Sequence, residues 1–229
     1  MTSRSARFSV WVVLAATALL TAPAVVFGQP ALQVLEQSQF WIEGSSTVNQ
    51  FTCRVDVISG HGPLPTQAAS VQTAEARAAD TTGLTIPVQR FDCGNDRMSE
   101  DLKETLKAQA HPRIQFTLHD ATVRELSNSP DGWTPLEALG YLTVAGTERL
   151  VRVNAWGRSL GDGRYRVRGC KPLEMTYFGI DPPTKFLGVV KVHNQIEVHF
   201  DLLAQAADRP APDASLLALT DPPPCHESP

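Results

Sequence analysis

Apolar residues recur at every second position along most of this chain. Phe51, Cys53, Val55 and Val57 alternate with Thr52, Arg54 and Asp56. Leu84, Ile86 and Val88 alternate with Thr85, Pro87 and Gln89, and Ile114, Phe116 and Leu118 repeat the pattern. Val151, Val153 and Ala155 alternate with Arg152 and Asn154; Tyr165 and Val167 oppose Arg164, Arg166 and Arg168; Ile196, Val198, Phe200 and Leu202 share one side. Period two is the geometry of a β-strand with one buried face. The period changes clearly once, where Met98, Leu102 and Leu106 stand four apart and predict a short amphipathic helix. The turn Asp92-Cys93-Gly94-Asn95 precedes it, and His111-Pro112 ends it, because proline pushes the preceding residue out of helical space.

Further strands are expected at residues 31–36, around Phe40 and Trp41, and at 139–144. Gly161-Asp162-Gly163 is a hairpin signal. Residues 60–64 read as a turn, 65–80 as a loop, 128–133 as a turn and 171–188 as a long excursion. The sum is an all-β chain of about eight strands with one helix, a barrel or a sandwich. A single helix inside such a chain has to close or plug something.

Residues 1–28 have the pattern of a signal peptide: Arg4 and Arg7, an apolar run from Phe8, and small or apolar residues Val26-Phe27-Gly28 before Gln29. Pro23 interrupts the run, which is short for a span of ~20 residues. No cysteine follows the cleavage position, against a lipoprotein anchor, and no later segment is long and apolar enough to span. Cleavage moves the formal charge from −4 to −6. A mildly acidic chain with no basic tract is not expected to bind nucleic acid. The expected organisation is a lead-in at 29–38, one domain at 39–204, and a proline-rich disordered tail at 205–229. Export to an oxidising compartment, periplasmic or extracellular, makes disulfides the default reading of Cys53, Cys93, Cys170 and Cys225. Spacing leaves all three pairings open. No C-x-x-C or H-x-H occurs, so no metal is expected, and no cofactor.

Some motifs have dull readings that outweigh sharper ones. Gly157-Arg158-Ser159-Leu160-Gly161 fits the G-x-S-x-G of hydrolases, but that serine must sit between a strand and a helix. Here a hairpin follows, so Ser159 reads as a turn residue and no catalytic residue is assigned. His193 and His199 share parity but stand ~20 Å apart on one strand, so they cannot hold one metal. They read as outward surface histidines; His61 and His111 sit in or beside loops without a visible partner. Arg164, Arg166 and Arg168 form a basic stripe. It reads as a solvated outer face, with transient contact to an anionic membrane surface as the sharper alternative.

The set of motifs resembles the YceI-like family. The residues that carry the resemblance are Gly44-Ser45-Ser46-Thr47-Val48, the strand at Phe51, Ile86-Pro87-Val88, Asp92-Cys93-Gly94-Asn95 with Met98, and His111-Pro112-Arg113-Ile114-Gln115-Phe116 after Leu106-Lys107-Ala108. To these are added Leu142-Thr143-Val144-Ala145-Gly146, Lys171-Pro172-Leu173, Met175-Thr176, and Phe178-Gly179-Ile180-Asp181-Pro182-Pro183-Thr184. The resemblance implies an exported bacterial protein with a lipocalin-like antiparallel β-barrel that holds a polyisoprenoid or other long-chain lipid. Asn49-Gln50 stands where many relatives carry His-Asp, and Tyr177 where an aspartate is frequent. Where those groups orient a headgroup, the ligand here differs.

With a barrel as frame, parity assigns its interior to Phe51, Val55, Ile86, Val88, Phe116, Leu118, Leu142, Val144, Val151, Val153, Val167, Val198 and Phe200. Met98, Leu102 and Leu106 are expected to cap one mouth, with Phe178, Phe186 and Leu187 as the gate. A Cys53–Cys93 bridge is expected across the barrel end, with Cys170–Cys225 as a second pair. The expected function is a non-enzymatic carrier; recognition of a protein partner is the first alternative and a Ser159 hydrolase a remote one.

Overall fold

Strands that must each bury one face reach a closed solution here. The computed structural model describes residues 31–63, 83–123 and 132–206. Its strands are β1 (Ala31–Val34), β2 (Gln39–Ser46), β3 (Gln50–Val55), β4 (Ser59–Pro63), β5 (Gly83–Pro87), β6 (Arg113–Val123), β7 (Thr134–Val144), β8 (Thr147–Gly161), β9 (Arg164–Glu174), β10 (Thr184–Lys185) and β11 (Val190–Ala206). One helix, α1 (Asp96–Thr105), lies between β5 and β6. β1 and β2 act as one bent strand and β3 and β4 as another. With β5, β6, β7, β8, β9 and β11 they make an antiparallel wall of eight members.

β11 closes that wall. One edge pairs with β9 from Gln195 to Gln205. The other pairs with β2 from Val192 to Asp201, then with β1 from Ala204 to Ala206. Between those two partners Leu203 O accepts from Leu35 N–H at 2.8 Å, and the Leu203 N–H is left to be satisfied. The buried Ser38 satisfies it: Leu203 N–H donates to Ser38 Oγ at 2.9 Å, and the hydroxyl donates to Leu203 O at 3.3 Å. Backbone groups in a wall must be paired, so one serine makes the bend tolerable.

The wall is weakest at the far edge of β3. There the only pairing among the described residues is the isolated bridge between Arg54 and Asp92. Beside it Cys53 and Cys93 are joined, S–S 2.00 Å. Cys170 is also disulfide-bonded; its expected partner, Cys225, lies outside the described residues.

Several expectations are corrected. Residues 60–64 do not form a turn: Ser59–Pro63 is a strand, paired with β1 and β5. Its glycine content reflects close approach, since a Cβ on Gly60 would meet Leu84 Cδ2 at 2.7 Å and Val34 Cγ2 at 2.8 Å. β3 ends at Val55, so Val57 leaves the apolar face and is 48% exposed. β5 ends at Pro87, and Val88–Arg90 turns into a 3-10 helix rather than extending the strand. The first strand stops at Val34. Trp133, read as part of a turn, is buried. Gln205 and Ala206, placed in the tail, are the last residues of β11, and the lead-in supplies β1. The arginine stripe is not a solvated face: Arg164 is buried, and Arg166 and Arg168 both pair with Asp201 at 2.7 Å. The expected signal peptide at 1–28, the loop at 65–80 and the tail from 207 lie outside the described residues.

Candidate functional site

The interior faces of the strands do not meet in the middle. They enclose a cavity of about 650 Å³, inside the ~300–1,000 Å³ range of small-molecule sites. Its lining runs from Leu32, Val34 and Ala204 at one end to Met98, Leu102 and Lys185 at the other, so it follows the barrel axis.

Three aromatic rings shape its width. Phe51, Phe116 and Phe200 line the cavity, and each lies over a glycine of the neighbouring strand: Gly44, Gly140 and Gly169. A Cβ on those glycines would meet a ring carbon at 2.4, 2.4 and 2.5 Å respectively. The missing side chains let the rings lie against the wall instead of crossing the lumen, a pairing that also protects glycine in a sheet.

Helix α1 lies at one mouth and is fixed at its start. Asn95 caps it, its side chain accepting from Met98 N–H at 3.1 Å. Ser99, buried, donates to Asn95 O at 2.9 Å and accepts from Cys93 N–H at 3.0 Å. That couples the helix to the disulfide. Met98, Leu102 and Leu106 therefore face the lumen, as their spacing of four requires. From the opposite rim Lys185 Nζ donates to Asp101 at 2.8 Å, tying the segment before β11 to the helix. Ser46, Asn49, Asn95, Arg97 and Thr105 make the rest of that rim polar, and Asn49 accepts from Ser46 Oγ at 2.8 Å.

A charged residue, Lys171, interrupts the apolar wall. Asn154, Cys170 and His199 share a rung across β8, β9 and β11. The next rung holds Val153, Lys171 and Val198, all lining the cavity. Lys171 has the parity of Gly169 and Leu173, and makes no hydrogen bond or ion pair among the described residues.

Of the residues assigned from sequence, the cavity is lined by Phe51, Ile86, Met98, Leu102, Leu106, Phe116, Leu118, Leu142, Val144, Val151, Val153, Val167, Phe178, Val198 and Phe200. Val55 and Val88 are not among the lining. Both are 1% exposed in the packed core, Val88 because the chain leaves the sheet at Pro87. Leu187 does not cover the lumen: it is fully exposed, in a left-handed conformation with φ 55°. The Phe186 side chain lies outside the described residues. Tyr177 is exposed beneath Arg149, 5.4 Å from its ring centroid. The sequence reading missed Leu32, Val34, Ile42, Leu136, Leu173, Ile180, Val192 and Ile196, which also line the cavity. For Ile196 the signal was present, since it shares parity with Val198. Ser159 lies within β8, followed by the β8–β9 hairpin, with no strand-to-helix elbow around it.

No curated protein matches the chain. The solved structures that share its fold include two bacterial proteins. BcnA from Burkholderia cenocepacia is 17% identical with a TM-score of 0.55, the match covering 74% of this chain and 98% of that one. A polyisoprenoid-binding domain from Saccharophagus degradans, implicated in plant cell wall breakdown, is 14% identical with a TM-score of 0.57, covering 78% and 99%. The model of the YceI-like domain matches residues 37–204, nearly the whole barrel and the mouth with its helix, and the chain belongs to the YceI-like family.

Proposed function

We propose that this protein is an exported, non-enzymatic carrier that holds a polyisoprenoid or similar long-chain lipid along the barrel axis. The observation that carries this reading is the continuous apolar lumen of about 650 Å³ with a helix across one mouth. Each methylene transferred from water to such a wall contributes about 0.8 kcal/mol. A role limited to protein recognition through loops would leave that lumen without a use. Lys171 suits a ligand with a polar or acidic head. The leader pattern of residues 1–28 and the Cys53–Cys93 disulfide support export.

A carrier also needs a place to meet its membrane. Val48, Leu187 and Val189 are exposed at the helix-bearing end, and Thr47 holds their segments together by accepting from Lys191 N–H and donating to Val189 O, both at 3.2 Å. This apolar rim, rather than the arginine stripe, is the edge for transient contact with a lipid surface.

Native mass spectrometry of the protein purified from its own source, followed by lipid extraction, tests the reading. A lipid adduct is expected, and Leu102→Gln should lose most of it while still folding, because a mouth residue leaves the packed core intact. Protein that arrives without lipid and takes up none from vesicles would count against a carrier.

The Lys185–Asp101 pair is expected to slow release rather than set affinity. Both side chains are about a third exposed, so the pair contributes less than ~1 kcal/mol. Lys185→Met should therefore speed loss of a bound fluorescent apolar probe by up to about fivefold in stopped-flow. An unchanged rate would mean that ligand does not pass this rim.

A further inference from the structure

The outer wall of the barrel carries a cluster that lipid binding does not use. Glu43 on β2 stands directly opposite Glu197 on β11. Like charges opposed across a ladder repel each other. His199 follows two residues along β11, on the same outward face. Its Nε2 lies 3.6 Å from Glu43 Oε2 and 3.6 Å from Glu197 Oε2. Those separations are too long for hydrogen bonds. Nε2 is nevertheless buried and has no hydrogen-bond partner. Donor atoms of all three residues fall within 4.8 Å of one another. Ligands bonded at ~2.0–2.2 Å to one tetrahedral ion keep much the same spacing as the 3.6 Å seen here.

The surroundings hold this arrangement in place. The Trp41 indole stacks on the His199 imidazole at 5.0 Å with 2° between planes. Its Nε1–H donates to Glu43 Oε1 at 2.9 Å, which leaves Oε2 turned toward His199. Supporting hydrogen bonds of this kind orient metal-binding carboxylates. On the neighbouring strand, Arg166 and Arg168 each pair with Asp201 at 2.7 Å. His199 is 13% exposed and Glu43 48%, so the cluster is walled on one side and open to solvent on the other.

We propose that Glu43, Glu197 and His199 form a site for a first-row divalent cation of the Zn²⁺ type, with an open position for water. One imidazole and two carboxylates balance its charge, and a mixed nitrogen and oxygen donor set favours it over Ca²⁺ or Mg²⁺. The ion joins β2 to β11, the pair that closes the barrel. Its donors come from strands more than 150 positions apart in the chain, so no linear spacing announces the site.

The test uses the untagged full-length protein stripped with chelator. Calorimetric titration with Zn²⁺ should show one ion per chain and a raised melting temperature, and Co²⁺ should give a visible absorption band. No free thiol is present among the described residues to imitate it. Glu43→Gln, at a half-exposed position that folding tolerates, and His199→Gln should each weaken binding about 100-fold, and Trp41→Phe about tenfold. Wild-type protein that binds Zn²⁺ no more tightly than Glu43→Gln overturns the proposal. So does a Co²⁺ band that survives His199→Gln. A protein whose melting temperature falls in His199→Gln but does not respond to Zn²⁺ would hold a charge bridge instead, and overturns it as well.

Discussion

Replacing both Cys53 and Cys93 with alanine is expected to lower stability by about 4 kcal/mol, the loop entropy released by a cross-link spanning 40 residues. For a chain of this size that corresponds to a fall in melting temperature on the order of 10 °C. The position of the bridge raises the expected effect. β3 is paired along β2, but among the described residues its backbone pairing to the segment after β5 is the single bridge of Arg54 and Asp92, with N–H···O distances of 2.7 and 2.9 Å. Elsewhere in the wall a lost contact leaves a continuous ladder behind; here it leaves a seam. The same segment anchors helix α1 through Cys93 N–H and Ser99, so the double variant should also loosen the helix at the mouth. Thermal melts read the first effect, and hydrogen exchange at the amides of α1 reads the second. A loss under ~1 kcal/mol would mean that the seam is held by packing of Phe91, Val55 and Ile58 rather than by the cross-link.

The parts of this architecture legible in the sequence are those governed by one strand at a time. Phe116, Leu142, Val153 and Phe200 face the lumen because alternation fixes the side on which a residue emerges, whatever lies across the ladder. The cap was legible for the same reason, with period four in place of two. Val88 failed because alternation continued past Pro87 while the backbone did not. β4 failed because Gly60 and Gly62 read as turn residues, when Gly60 yields room to Val34 and Leu84 from other strands. The arginine stripe failed because Asp201, its partner, lies on β11. The glycines beneath Phe51, Phe116 and Phe200 carry no signal of their own, since each has meaning only with the ring opposite. Parity also cannot say whether an interior is filled. It names the inward residues and leaves open whether they touch.

That last distinction governs what a substitution in the lumen will do. Val153 borders the cavity, so an amide there meets open space more than packed neighbours. The large penalty belongs to Val55, fully buried, where Val55→Gln should cost several kcal/mol, on the order of a buried unpaired amide. Filling the lumen is therefore the sharper experiment. Val153 and Val198 flank Lys171 on one rung, and Val153→Phe/Val198→Phe places two rings at the same level. Enlarging a residue in a tight core costs about 1–3 kcal/mol of strain. Here the rings enter vacant volume and gain contacts, so the melting temperature should hold or rise. Lipid retention should disappear. Gly44→Ala reaches the same end from the wall: the nearest atoms to its Cβ would be those of the Phe51 ring, with Cζ at 2.4 Å, and relief comes by swinging that ring into the lumen. Circular dichroism melts and native mass spectrometry of both variants read fold and lipid separately. If folded protein of both variants still carries lipid, the ligand does not lie along the axis and the carrier reading fails. If the double variant unfolds, Gly44→Ala decides alone, because only one flexible ring has to move.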